Sequence, residues 1–146
     1  MDEKEIIKEK FKSAVSSAAR AISENFNLEV KFGKETTSSK NALNLPEIEN
    51  INDFQEFTNL RAFADSEALK IKYTDKKIYF QNEPKGSNAK MLYGIAEKIR
   101  CEKIGSENLK GVKNNLIQCY EDKFKKKDAD QSVNDTEIPL TEAFEM

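Results

Sequence analysis

The sequence predicts a mostly α-helical fold of the α+β class. We expect a helical bundle of about four helices with a helical hairpin and a small β-hairpin. Apolar residues recur every three or four positions over most of the chain, which is the period of a helix with one buried face. Two short segments instead alternate apolar and polar residues, as strands do. The 146 residues, 38% of them hydrophobic, suffice for one modest core.

The first helix is predicted over residues 3–26. Its apolar stripe repeats at helical intervals and comprises Ile7, Phe11, Ala14, Val15, Ala18, Ile22 and Phe26. Such a stripe must pack against another element, because leaving it in water would cost free energy.

Two strands are predicted next, LEVKF at 28–32 and ALNLP at 42–46. Pro46 lacks a backbone N–H and would end the second strand. Because no tight two-residue turn lies between the segments, we expect them to pair as a loose hairpin.

A second helix is predicted over residues 53–73. Its inward face repeats at helical intervals and comprises Phe54, Phe57, Arg61, Ala64, Ala68 and Ile71. Asn52 and Gln55 have the spacing of a capping box, which satisfies free amides at the start of a helix.

The segment YTDKKIYFQNEPKGS, residues 73–87, interrupts the helical period. Pro84 and Gly86 are strong structure breakers. We therefore expect an extended connection whose apolar side chains plug the core, namely Ile78, Tyr79 and Phe80.

A helical hairpin is predicted after this connection. Ser87 can cap a third helix, and Gly105 suits the left-handed position just past its end. The inner face of this helix comprises Leu92, Ile95, Ala96 and Ile99. Ser106 can cap a fourth helix that runs to about residue 124, with an apolar stripe of Leu109, Val112, Leu116, Tyr120 and Phe124.

Two glycines inside these helices indicate close packing. Antiparallel pairing about Gly105 would bring Gly111 near Ile99, and Gly94 near Leu116 or Ile117. A glycine inside a helix costs about 1 kcal/mol relative to alanine, so we interpret both as sites where helix axes approach. On this hypothesis Gly111→Leu would destabilise the domain by about 1 to 3 kcal/mol through overpacking.

The domain organisation follows from these segments. Residues 1–124 form a helical domain, and the polar stretch 125–137 is a solvated linker. Residues 138–146, IPLTEAFEM, begin a further helix with Pro139 near its first turn. That helix would be truncated after about two turns, so we expect the chain to be a fragment of something longer.

Charge and hydropathy exclude several partner classes. The chain has 24 Lys and Arg against 26 Asp and Glu, a net charge of −2. This balance gives no general attraction to nucleic acid or to anionic membranes. No apolar run approaches the ~18 residues of a membrane helix, and the charged start MDEKEIIKEK is unlike a secretion signal. We expect a cytoplasmic protein.

The residue types give little support for catalysis by this chain. It contains no histidine, the commonest general base and transition-metal ligand. No phosphate-binding glycine motif is present. The segment DADQS at 128–132 only partly matches the metal-binding pattern D-x-S-x-S, and its lysine-rich surroundings favour chance similarity. Cys101 and Cys119 have no C-x-x-C spacing and indicate reduced thiols in the core. We therefore predict no catalytic, cofactor or metal site.

Arginine and carboxylate pairs are the remaining candidates for function. The three arginines suit ordered ion pairs better than lysines do. Arg61 lies one turn before Asp65 on the second helix, and Glu97 lies three residues before Arg100, near Glu102. Each group fits either an internal ion pair or a surface for a partner, and the sequence leaves both open.

Ordered blocks of the sequence resemble a known family. They are FKSAVSSAARAI, LEVKFG, LP, RAFADSEAL, P-x-G-x-x-A, EKIRCEKIG and LKGVKNNL. In this order and spacing they resemble the amino-terminal region of the T subunit of aerobic cobaltochelatase, the cobalamin biosynthesis protein CobT. The resemblance runs from about Phe11 to Leu116.

The resemblance implies a non-catalytic role in an ATP-dependent enzyme. In that family the T subunit joins an AAA-type ATPase subunit and assists a large chelatase subunit, which inserts cobalt into hydrogenobyrinic acid a,c-diamide. The complex uses ATP, magnesium and cobalt, and no cofactor is implied for this chain. A von Willebrand A-type domain follows in the full family protein.

The family motifs also imply which residues matter. As candidate partner contacts they give Arg61, Asp65, Glu97, Arg100 and Glu102. With Gly94 added from the hairpin argument, the structural positions are Arg20, Gly94, Gly105, Gly111 and Asn115. This chain departs from the family at Ala62, Lys98, Ile99 and Leu109. The family's H-D pair and a later histidine around the central loop appear here as Thr74, Asp75 and Tyr79.

Those lost histidines keep a second interpretation open. The chain would then be a protein-interaction or regulatory module no longer tied to cobalt chelation. A carboxylate-dependent hydrolase lacks a paired base, and helix-turn-helix DNA binding lacks a basic surface.

Overall fold

The computed structural model describes residues 2–34 and 39–131 of the chain. Its helices and strands within these residues are, in chain order, α1 (Glu3–Ser23), β1 (Glu29–Phe32), β2 (Ala42–Leu45), α2 (Phe54–Tyr73), α3 (Lys76–Asn82), α4 (Ser87–Asn108) and α5 (Lys110–Gln131). The predicted mostly α-helical fold is confirmed.

Helix α2 is the centre of the fold. It packs against α1, α4, α5 and the strand β2. Its inner surface carries small residues, Ala62, Ala64 and Ala68, which let neighbouring helices approach closely. The largest fully buried hydrophobic side chains come from the surrounding elements and from α2 itself, and they are Val15, Leu28, Leu43, Leu45, Ile48 and Leu69.

Helix α1 ends earlier than predicted. Glu24 adopts a left-handed conformation with φ 55° and terminates the helix after Ser23. Phe26 therefore lies beyond the helix and is 79% exposed. Arg20 Nε donates to the Leu28 carbonyl at 2.9 Å and so links α1 to the residue before β1. The structural role expected for Arg20 stays a prediction.

The two strands pair in parallel, so the predicted β-hairpin is wrong. Glu29 lies opposite Ala42 and Phe32 opposite Leu45. The nine residues between the strands are long enough to carry the chain back along a strand of four residues. In this arrangement Leu43 and Leu45 both face the core.

The cap of helix α2 lies one residue later than predicted, at Asp53 and not at Asn52. The cap is Asp53, whose side chain accepts from the amides of Gln55 and Glu56. The Glu56 carboxylate in turn accepts from the amides of Glu49 at 2.6 Å and Asn50 at 2.9 Å. The Asp53 amide donates to the Asn50 carbonyl and not to Glu56, so the reciprocal bond of a capping box is absent and Asp53 alone caps the helix.

The predicted extended connection after α2 is wrong, because it contains the helix α3. Asp75 caps this helix by accepting from the Ile78 amide. Ile78 and Phe80 do not plug the core and are 58% and 64% exposed. Tyr79 is half-buried and packs against Tyr93, with ring centroids 4.6 Å apart.

The hinge of the helical hairpin lies at Leu109, four residues after the predicted one. Helix α4 starts at Ser87 with Gly86 as its cap, and it continues through Gly105 and Ser106. No described glycine has a positive φ, so the predicted left-handed turn at Gly105 is wrong. Leu109 is extended and separates α4 from α5, which pack against each other.

The glycine contacts also differ from the prediction. A Cβ added at Gly105 would overlap the Leu69 side chain of α2, so this glycine allows α2 and α4 to approach. A Cβ at Gly94 would lie 3.4 Å from the Tyr79 hydroxyl, and one at Gly111 would meet nothing within 4 Å. The overpacking predicted for Gly111→Leu is therefore wrong.

Helix α5 extends to Gln131, so residues 125–131 are helical where a linker was predicted. The remainder of that linker, 132–137, and the predicted further helix at 138–146 lie outside the described residues. Within the part of the chain that is described, no helix has the length and apolar character needed to cross a membrane.

Candidate functional site

Asp65 is the centre of an internal polar cluster between α2 and α5. Asn115 donates to its Oδ2 at 2.8 Å. Arg61 Nε lies 3.1 Å from Oδ1, close enough for an ion pair although its N–H is not aligned for a hydrogen bond. Burial raises the pKa of Asp65, while Asn115 and Arg61 act in the opposite direction.

This cluster is structural. Asp65 is only 1% exposed, so a role as a partner contact does not fit its position. Asn115 links α5 to the carboxylate on α2, and the structural role that the family motif implied for it stays a prediction. Arg61 is partly exposed and stays a candidate contact.

Glu97 and Arg100 form a second cluster where α4 crosses the end of α2. Arg100 Nε and Nη2 donate to the two Glu97 oxygens at 2.9 and 2.6 Å. Arg100 Nη2 also donates to the Tyr73 carbonyl at 2.7 Å, and Thr74 Oγ1 donates to Glu97 at 2.7 Å. The Arg100 hydrogen bonds lower the pKa of Glu97. Arg100 thus satisfies a carbonyl at the C-terminus of α2, where a cation is favourable.

Glu102 is the centre of a third cluster that joins α2, α4 and α5. Ser66 Oγ donates to its Oε1 at 2.6 Å, and the Tyr120 hydroxyl donates to its Oε2 at 2.8 Å. Glu102 is 6% exposed, so it too is a poor fit to the expected partner contact. The sequence analysis did not single out Ser66, and it interpreted Tyr120 as one of the apolar residues of the fourth helix.

Replacing Glu102 by glutamine should lower the pKa of Tyr120. Burial, and then the negative charge of Glu102, raise the pKa of Tyr120 to about 12. In Glu102→Gln the charge is gone but the burial remains, so the pKa should fall yet stay above the ordinary value of 10.0. Phenolate absorbance during an alkaline titration measures the pKa of Tyr120. The variant Tyr120→Phe identifies its signal, because that signal is then missing from the titration. An unchanged pKa would contradict this contact.

A cleft of about 460 Å³ lies beside this third cluster, between α2, α4 and α5. Its apolar lining includes Leu60, Phe63 and Leu116. The ammonium groups of Lys98 and Lys123 each lie 5.5 Å from the centre of the Tyr120 ring in its wall. We call this hollow the α5 cleft, and its other charged lining residues are Glu47, Asp53, Glu56, Glu102 and Lys126.

Both cysteines are free and buried, as the sequence indicated. Cys101 is fully buried in the core, whereas Cys119 lines the α5 cleft. Burial raises the pKa of each thiol, so both favour the protonated, less reactive form.

A groove of about 510 Å³ lies on another side of α4, between α2 and α3. Its apolar lining includes Ile71, Tyr79, Phe80, Met91 and Ile95. Phe80 and Met91 are 64% and 55% exposed. We call this surface the α3 groove, and it adjoins the Glu97 and Arg100 cluster, because Glu97 also lines it.

Thr74, Asp75 and Tyr79, which the resemblance aligned with the histidine-containing central loop, all have contacts within the fold. Thr74 ends α2 and bonds to Glu97. Asp75 caps α3, and Tyr79 packs against Tyr93. Among the described residues no group of three or more Cys, Asp or Glu side chains could hold a metal ion.

The family model described as cobalamin biosynthesis protein CobT matches residues 6–146, most of the chain. No solved structure matches it.

Proposed function

The chain belongs to the CobT family of cobalamin biosynthesis proteins, and from this premise we propose that it is a non-catalytic domain of aerobic cobaltochelatase. Membership gives it a role in cobalamin biosynthesis related to cobaltochelatase. The proposal adds that the domain assists the ATP-dependent insertion of cobalt into hydrogenobyrinic acid a,c-diamide. It does so by contacts with other subunits.

The observation that carries this proposal is the α3 groove. Phe80 and Met91 expose most of their side chains beside it, and Ile78 on the same short helix is also exposed. Clustered exposed apolar side chains mark interaction surfaces in soluble proteins. Arg100 on α4 is about half exposed and pairs with Glu97, which lines the groove. Arg61 is a second, separate candidate contact.

The proposed partners are an AAA-type ATPase subunit and a large chelatase subunit. ATP and magnesium would be bound by the ATPase subunit, and cobalt is a substrate delivered to the large subunit. The domain would work in the cytoplasm with the rest of the enzyme.

Replacing the exposed apolar side chains of the α3 groove should weaken binding to these subunits. The double variant Phe80→Ser and Met91→Ser removes two side chains whose burial in an interface would each be favourable. We expect its dissociation constant to rise by more than about tenfold, measured by sedimentation with the purified subunits. Phe26→Ser is the matched control, because Phe26 is 79% exposed and lies at the end of α1.

Two results would contradict the proposal. One is that the unaltered chain binds neither subunit, which would favour the regulatory module of the alternative interpretation. The other is turnover of a substrate by the isolated chain.

A further inference from the structure

Residues 70–100 are poorly covered by the rest of the fold. They comprise the end of α2, the whole of α3 and the part of α4 up to Arg100. None of them is buried, although ten of them carry large apolar or aromatic side chains. Helix α3 is held on α4 through Tyr93, whose hydroxyl donates to the Tyr79 carbonyl at 3.1 Å. A surface of this kind is typical of an interface with another molecule.

The same residues are strongly basic. They include eight Lys and Arg against three Asp and Glu, a net charge of +5, whereas the whole chain has a net charge of −2. The overall balance of the chain therefore conceals a local excess of positive charge. This excess lies beside the exposed apolar side chains of the α3 groove.

The carboxylates at this surface are already engaged by groups of the chain. Glu67 and Glu97 are the two carboxylates that line the α3 groove. The ion pairs of the region are Glu67 with Lys70, Glu83 with Lys90, and Glu97 with Arg100. The third acidic residue of 70–100, Asp75, caps α3. The carboxylates therefore do little to offset the remaining lysines.

Three lysines of this surface have no such counter-ion. Lys76, Lys77 and Lys85 are exposed, and none of them forms an ion pair with any residue that the structure describes. Lys76 lines the α3 groove, and Lys85 lines a neighbouring hollow that shares Phe80 with it. Cations without an internal partner thus flank an exposed aromatic side chain, which favours an occupant that is both acidic and apolar.

The shape of the groove indicates the form of the occupant. Apart from Ser39 and Thr74, the residues that line it belong to α2, α3 and α4. An extended peptide would find no strand edge among them, whereas a groove between helices accepts the apolar face of another helix. The lining follows α4 from Met91 to Lys98, which is about 10 Å, or two turns of a helix.

We propose that the α3 groove binds an acidic amphipathic helix of a partner subunit. Its apolar face would pack against Phe80 and Met91, and its carboxylates would lie near Lys76 and Lys85. The inference rests on the proposed function in one respect, namely that the partner is another subunit of the enzyme. A second copy of the chain bound through the same surface does not fit, because the two basic surfaces would repel each other.

Designed peptides test the chemistry of the occupant without the subunits. The probe is a peptide of about 15 residues, long enough to form a helix, with leucine at helical spacing on one face and glutamate elsewhere. In the matched peptide lysine replaces every glutamate. Fluorescence anisotropy measures both dissociation constants with the unaltered chain. We expect the acidic peptide to bind at least about tenfold more tightly. Equal affinities would overturn the proposal.

Charge reversal locates the contact on the molecule. The double variant Lys76→Glu and Lys85→Glu should weaken binding of the acidic peptide by more than about tenfold. Lys110→Glu with Lys113→Glu is the matched control, because it changes the net charge equally on α5, which does not line the groove. We expect the control to change the affinity by less than about threefold. Equal losses in both variants would overturn the proposal, since net charge alone would then attract the peptide.

Two further measurements separate this inference from its alternatives. Co-sedimentation with phosphatidylserine vesicles tests whether the basic surface binds a membrane, and binding to vesicles without a preference for the acidic peptide would overturn the inference. Sedimentation with the purified subunits tests the proposed function. If the chain prefers the acidic peptide but binds neither subunit, the chemistry of the groove is confirmed and the cobaltochelatase partner is wrong. If the subunits bind equally well to the Lys76→Glu and Lys85→Glu variant, the inference is wrong and the proposed function stands.

Discussion

Replacing Gly105 by leucine is expected to destabilise the fold by about 3 kcal/mol, the upper part of the usual range for overpacking. Even a single Cβ at this position would overlap the Leu69 side chain. Leu69 is fully buried on α2, so it cannot swing into solvent to make room. The helices α2 and α4 would have to separate at the centre of the core. Urea denaturation followed by circular dichroism measures the loss.

Gly111→Leu is the matched control for this prediction. Nothing lies within 4 Å of a Cβ at Gly111, and leucine favours a helix over glycine by somewhat less than 1 kcal/mol. The variant should therefore be as stable as the unaltered chain or slightly more stable. Equal losses at the two glycines would show that α2 and α4 do not approach as described.

Asp65→Ala should lower the free energy of unfolding by about 3 kcal/mol, which is the lower part of the range for breaking a buried ion pair. The substitution leaves the Arg61 guanidinium partly buried without its carboxylate, and it removes the acceptor of the Asn115 side chain. Arg61 would lose its counter-ion, and the Asn115 amide would lose its acceptor inside the fold. Urea denaturation at neutral pH measures the effect. A loss below about 1 kcal/mol, the usual value for an exposed pair, would contradict the structural role.

The isosteric variant Asp65→Asn removes the charge of this side chain and keeps its shape. The pH dependence of the difference in unfolding free energy between the two chains shows whether burial or Arg61 dominates. Burial raises the folded-state pKa of Asp65 above its ordinary value of 3.8. A raised pKa means that the folded state binds the proton more tightly than the unfolded chain does. The advantage of the unaltered chain over Asp65→Asn should therefore be greatest below that ordinary value and shrink as pH rises through the raised pKa. An advantage that grows with pH would mean that Arg61 outweighs burial.

Contacts within one helix could be predicted from the sequence, because helical geometry fixes which residues are neighbours. Arg61 and Asp65 are four residues apart, and Glu97 and Arg100 three apart, and both ion pairs are present. The apolar period likewise located most of α1, α2 and α4. In each case the signal repeats within a few residues and requires no knowledge of the rest of the chain.

Contacts between elements could not be predicted in this way. The Glu102 cluster joins Ser66 and Tyr120, which lie 36 and 18 residues away. Because α4 continues to Asn108 and the chain turns at Leu109, Gly105 faces Leu69 and Gly111 faces open space.

The sequence by itself thus determined the helical class, the family and which charged residues lie close enough to pair within single helices. Only the tertiary structure decided the parallel pairing of β1 and β2, the burial of Asp65 and Glu102, and the exposure of Phe80. The physical reason is that burial and strand pairing depend on how distant elements pack. A local pattern limits that packing without selecting one arrangement.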